Sequence, residues 1–128
     1  MKYSKEHVWV TKTESTFRIG ITEYATDELG EIVFIELPEV GTKIRAGEPL
    51  CAIDSLKSAS DLYAPISGSV VATNEALENS NSLHAINKDP AGSGWVCVLQ
   101  ADDASEYHTL MTKDEYLSFI GENHANSD

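Results

Sequence analysis

Residues 40–74 carry the same short pattern twice, and this repetition constrains the fold more than any other feature of the chain. In the first copy a turn containing Gly41 and Gly47 precedes the run Pro49-Leu50-Cys51-Ala52-Ile53. In the second a turn containing Pro65 and Gly68 precedes Ser69-Val70-Val71-Ala72-Thr73. Short apolar runs bounded by Gly and Pro read as strands. Between them lies Asp54-Ser55-Leu56-Lys57-Ser58-Ala59-Ser60-Asp61, a small, polar, turn-forming linker whose single cation, Lys57, sits near the middle. Lys57 is therefore expected to project from the tip of a hairpin framed by the two runs.

A lone lysine in a polar loop is ordinarily a solubilising charge. Three features set Lys57 apart. It is centred between strand-like runs, its neighbours Ser55, Ser58, Ala59 and Ser60 are small enough for an enzyme to approach closely, and Asp54 and Asp61 flank it with negative charge. A modifying enzyme needs an amine that is exposed and held in place, and a rigid hairpin lowers the entropic cost of reaching it.

Elsewhere the chain reads as short strands with a few helices. His7–Thr11 and Thr16–Ile21 form a predicted hairpin through Thr13-Glu14-Ser15, with Phe17, Ile19 and Ile21 alternating. Ile32–Leu37 is apolar on both faces, as expected of a well-buried strand that stops at Pro38. A short helix fits between them, with Thr22 as N-cap, Glu23 in the first turn and Gly30 at its end. A C-terminal helix is marked by the capping box Thr112–Glu115, a Met111–Tyr116 staple, an apolar face of Tyr116, Leu117 and Ile120, and a stop at Gly121. Asp103 and Glu106 repeat the capping pattern before it. A chain of 128 residues suits one domain, with a core over about 3–120 and a polar tail, 121–128, expected to fray.

The net charge of −12 repels phosphate backbones and argues against nucleic-acid binding. Glu23, Asp27, Glu28, Glu31, Glu36 and Glu39 cluster with no intervening Lys or Arg, as a solvated face or a docking face for basic partners. No segment reaches membrane-span length, and no secretory signal is evident, so a cytoplasmic protein is expected. Cys51 and Cys97 lie in apolar runs and read as reduced core residues. His7, His84, His108 and His124 are scattered without metal-ligand spacing, nothing places a base beside Cys51, and no phosphate loop or nucleophile elbow occurs. Trp9 and Trp95 sit in strand-like runs and read as packing residues.

Taken together, six runs resemble the glycine cleavage H proteins, which are similar to the lipoyl domains of 2-oxoacid dehydrogenases. These are Gly20-Ile21-Thr22; Leu29 through Gly41; Ser55 through Gly68; and the later Asn74-Glu75-Ala76-Leu77, Asn87-Lys88-Asp89-Pro90 and Gly94-Trp95. The resemblance implies a flattened β-sandwich, or barrel-sandwich hybrid, of two quasi-symmetric halves. It implies lipoate attached covalently to Lys57, with Asp54, Ser55 and Asp61 as recognition context. It implies a non-catalytic carrier that takes an aminomethyl group from glycine decarboxylase (the P protein) to an aminomethyltransferase (the T protein). Dihydrolipoamide dehydrogenase (the L protein) would reoxidise the dithiol, and a lipoate-attaching enzyme would load Lys57. A carrier serving another lipoate-dependent pathway is the alternative. A biotin carrier is disfavoured, because Leu56 and Ser58 stand where biotin sites place Met. The chain departs from the family at Val8, where His-Glu-Trp is usual, and at Asp54, where Glu is usual; Asp54 keeps the charge with a shorter reach.

Overall fold

In the computed structural model, which describes residues 1–125 (with side chains except at Ser80 and 122–125), the strands form two antiparallel sheets. The larger has six strands in the order β1 (Lys2–Tyr3), β2 (Val8–Thr13), β3 (Thr16–Ile21), β9 (Cys97–Ala101), β8 (Gly68–Thr73) and β5 (Lys43–Ile44). The smaller has three, in the order β4 (Ile32–Glu36), β6 (Pro49–Ser55) and β7 (Ala59–Tyr63). Helix α1 (Glu23–Leu29) links β3 to β4. A 3-10 turn (Glu75–Glu78) and helices α2 (Ser80–Leu83) and α3 (Ala85–Lys88) lie between β8 and β9. Helices α4 (Ser105–His108) and α5 (Lys113–Ala125) close the chain.

The core lies between the sheets. Val8, Val10, Phe17, Ile19, Val70, Cys97 and Leu99 of the large sheet meet Ile32, Ile35, Cys51, Ile53 and Leu62 of the small one in a single buried cluster. The expected sandwich is therefore present. The two repeated halves send their strands to opposite layers, β6 to the small sheet and β8 to the large one. Each fully buried Ile or Leu contributes roughly 1.5–3 kcal/mol. Ile53 and Leu62, each 1% exposed, thus anchor the root of the β6–β7 hairpin more strongly than any one hydrogen bond at its tip.

Several expectations are corrected. The lysine hairpin pairs β6 with β7, not with the run at 69–73, so Asp54, Ser55 and Ala59–Asp61 of the presumed linker lie in strands and the turn is only Leu56–Ser58. β4 is not buried on both faces: Val33 and Phe34 are 45% and 51% exposed, because a bulge between Ile32 and Phe34 breaks the alternation. Helix α5 runs through Gly121 to Ala125, so that glycine does not stop it, and the expected fraying of 126–128 lies outside the described residues. Leu117 is half exposed rather than part of a buried face. Asp103 accepts from the Ser105 N–H, but the N-cap of α4 is Ala104, which makes no side-chain cap, and Glu106 turns away to accept from the Ser67 amide at 2.9 Å. Trp95 lies just before β9, its ring 4.7 Å from the Arg18 guanidinium, while Trp9 is buried in β2 with its indole N–H donating to the Pro90 carbonyl.

Candidate functional site

Lys57 stands at the tip of the β6–β7 hairpin, exposed, between the pair Asp54↔Ala59 and open solvent. Ser55 builds that tip. Its hydroxyl accepts from the Lys57 and Ser58 amides at 3.2 and 3.1 Å and donates to the Ser58 carbonyl, while its own amide donates to the same carbonyl at 2.8 Å. A buried serine thus satisfies the backbone groups that a three-residue tip would otherwise leave unpaired. The Leu56 amide donates to the Glu31 carbonyl, which ties the tip to the start of β4.

The lysine side chain leans over the C-terminal end of α1. Its amine donates to the Glu28 carbonyl at 3.3 Å. α1 has no basic residue in its last turn, so Lys57 supplies the cation that a helix C-terminus favours. Gly30 makes this possible in two ways. Its φ of +80° is a conformation that suits glycine, and a Cβ there would lie 2.9 Å from Lys57 Cε. The Thr22 cap expected at the other end is present, its hydroxyl accepting from Ala25 N–H. Asn87, from α3, braces the same corner: its side chain donates to the Gly30 carbonyl at 2.7 Å and accepts from the Ile32 amide at 2.9 Å. Sequence reasoning missed Gly30 and Asn87 as supports of the lysine, since neither lies near it in the chain.

Asp54 and Asp61 both lie on the solvent face of the small sheet, Asp54 opposite Phe34 and Asp61 opposite Ala52. Asp61 also lines a groove of about 320 Å³ between α1 and β7. Its polar walls are Glu6, His7, Glu28, Ser60 and Asp61, and its floor is Ile21, Leu29, Ile53 and Leu62. Where the usual family motif has a carboxylate, Val8 is fully buried in the core, whereas Glu6, two residues earlier, faces this groove. His7 is half-buried and held by Tyr116, whose hydroxyl lies 2.8 Å from its Nδ1 and 2.8 Å from Thr22 Oγ1. Burial lowers the His7 pKa below its usual value; Glu6 and Glu28 pull weakly the other way.

Both cysteines are free and buried, and burial, with the nearby carboxylates Asp61 and Glu36, pushes the Cys51 thiol up to about 12. A thiol so protonated is a poor nucleophile. Among the described residues no group of His, Cys, Asp or Glu is arranged to hold a metal. None of their helices is long and apolar enough to cross a membrane.

One amine, presented on an anchored hairpin beside an acidic groove, defines a carrier: a protein that offers a group to others. Comparison with known proteins gives the particular family. The family model described as glycine cleavage H-protein matches residues 1–123. The chain is 52% identical over 123 residues to the glycine cleavage system H protein of Coprothermobacter proteolyticus, covering 95% of each sequence. It is 47% identical to that of Geobacillus thermodenitrificans, covering 95% of the chain and 94% of the relative. The crystal structure of a glycine cleavage system H protein from Mycobacterium marinum superposes with a TM-score of 0.81 at 34% identity, over 96% of this chain and 95% of that one. The chain belongs to the glycine cleavage H-protein family, and it is a carrier protein of the glycine cleavage system.

Proposed function

We propose that Lys57 is the single attachment point for lipoate, and that the loaded chain serves the P, T and L proteins of glycine cleavage in turn, as one domain and in the cytoplasm. The carrying observation is the hairpin tip: an exposed amine on a backbone fixed by Ser55 and rooted in the core by Ile53 and Leu62. The surroundings fit an attached arm, because Leu56, Ser58 and Ala59 are exposed and no bulky side chain is interposed. When attached, lipoate supplies a dithiolane that accepts a carbon fragment together with electrons.

The chain's own residues do the rest. The hairpin tethers the arm, which raises its effective concentration at each partner's site. Asp54, Ser55 and Asp61 set the local frame that a lipoate-attaching enzyme meets. The groove between α1 and β7, with Glu6, Glu28 and Asp61 at its walls, suits a protonated amine, and its apolar floor limits water. Peptide mass spectrometry on protein from lipoate-supplied cells should place the adduct on Lys57 and find Lys57→Arg unmodified. An adduct on Lys43 or Lys88, or full modification of Lys57→Arg, would overturn the assignment.

A further inference from the structure

Three apolar side chains stand exposed at the lysine end of the small sheet. Phe34 is 51% exposed, Val33 45% and Leu56 72%. Phe34 is directly opposite Asp54 across the β4–β6 ladder, and the Leu56 amide is bonded to Glu31, the residue before β4. The bulge between Ile32 and Phe34 puts two apolar residues in sequence toward solvent where regular pleating would bury one. Exposing adjacent large apolar residues has a solubility cost that a purely structural strand avoids. Glu31 and Glu36 flank Val33 and Phe34 in the chain, Asp54 faces Phe34 across the ladder, and Lys57 is the cation next to Leu56.

We infer that Phe34, Leu56 and Val33 form the contact surface for the lipoate-attaching enzyme, which meets them with an apolar recess ringed by Lys or Arg. The inference rests on the proposed modification of Lys57. Reach decides among partners. With bonds of about 1.5 Å, an unmodified lysine amine extends only about 6 Å from its Cα. An enzyme that must touch that amine has to press against the protein around the tip. Phe34 pairs with Asp54, and Asp54 with Ala59, the last pair before the three-residue tip that carries Lys57, so Phe34 lies at the lysine end of the sheet where such an enzyme must press. Enzymes that meet the finished arm reach it at greater distance and need this surface less. Acidic residues beside an apolar centre follow the usual anatomy of a recognition patch, and a basic rim on the enzyme complements them.

The test is steady-state lipoylation of the full chain by a purified lipoate ligase. Phe34→Ser and Leu56→Ser should each raise KM for the protein roughly tenfold with little change in kcat, as expected for loss of one anchoring side chain. Phe34→Leu should restore most of the affinity. Leu117→Ser on α5 and Val71→Ser on β8 remove comparable exposed apolar groups in other elements and should leave KM unchanged. Both Phe34 and Leu56 are exposed, so thermal melting should be near wild type. Equal KM for wild type, Phe34→Ser and Leu56→Ser overturns the inference, as does an equal rise in the Leu117 and Val71 variants. Sedimentation showing a dimer that Phe34→Ser dissociates would also overturn it, assigning the surface to a second copy. A wild-type chain left unmodified at Lys57 overturns the proposed function itself, a result distinct from all of these.

Discussion

At the scale of single residues, the fold depends on groups chosen for what they leave out. Gly68 is the clearest case. Its backbone is not in the left-handed region, so the turn conformation does not require glycine there. Space does: a Cβ at Gly68 would collide with the Gln100 carbonyl oxygen on the neighbouring strand, an atom with no freedom to move aside. Gly68→Ala should therefore destabilise the chain by about 2 kcal/mol or more, through displacement of β8 from β9. Urea unfolding would read this as a lower midpoint at unchanged slope. A wild-type midpoint would mean that the two strands separate at little cost. Lys57 in the folded fraction should still be modified normally, because Gly68 lies in the other layer. Ser55 works in the opposite sense, filling the tip with the acceptor and donor that its backbone lacks. Cys51, on the same strand, has its pKa pushed up to about 12 and stays a silent core thiol at neutral pH.

At the scale of elements, His7 joins three of them. It precedes β2 with a φ of 66°, its Nδ1 meets Tyr116 of α5, and Tyr116 in turn bonds Thr22, the cap of α1. Tyr24 and Phe119 pack around its ring, and Glu6 and Glu28 face it. Burial holds its folded pKa below the ordinary 6.5, so the fold favours neutral His7. Its stabilising contribution is full above 6.5 and is lost as pH falls through the lower folded value. The thermal midpoint should thus drop between pH 7 and 5, and His7→Asn, which tolerates positive φ, should flatten that slope. Glu115 and Asp103, whose pKa values are lowered by hydrogen bonds to Thr112 and Ser105, act at more acidic pH and do not obscure the window. An unchanged slope in His7→Asn would place the pH response elsewhere. Elements were legible in the sequence where a local signal sets them: the Thr22 and Thr112 caps and the alternation in β3 all have short-range causes. β7 was not legible, because Ala59-Ser60-Asp61 has turn-like composition and becomes a strand only by pairing with β6. The exposed face of β4 was hidden for a related reason, since a bulge is a property of two strands together. Lys57 could be read from its neighbours, whereas its seat on Gly30 and Asn87 exists only after α1 and α3 come together.

At the scale of the whole molecule, charge is distributed unevenly around the hairpin. The six acids from Glu23 to Glu39 are all exposed, on α1, β4 and the segments that flank β4. Under the proposed attachment of lipoate the Lys57 ammonium would become an amide, and the net charge would move from −12 to −13 with the loss of one of the nine basic residues. The tip then keeps Asp54 and Asp61 without a local cation, and the cluster adds a broad negative field behind it. Partners that receive the loaded arm should dock through basic surfaces, drawn by a field acting beyond contact distance. Exposed charges are screened over about 8 Å at physiological ionic strength, so association should slow as salt rises, more than dissociation quickens. Replacing Glu28 and Glu31 by Gln should reproduce part of that effect at low salt and reduce the salt dependence that remains. Glu28 accepts from the Lys57 amine through its backbone carbonyl, not its carboxylate, so the substitution leaves the lysine seat intact. Stopped-flow association with the aminomethyltransferase and with glycine decarboxylase, measured across a salt series for both forms, reads these rates directly. Association rates indifferent to salt and to the double substitution would mean that the acids keep the chain soluble and steer nothing.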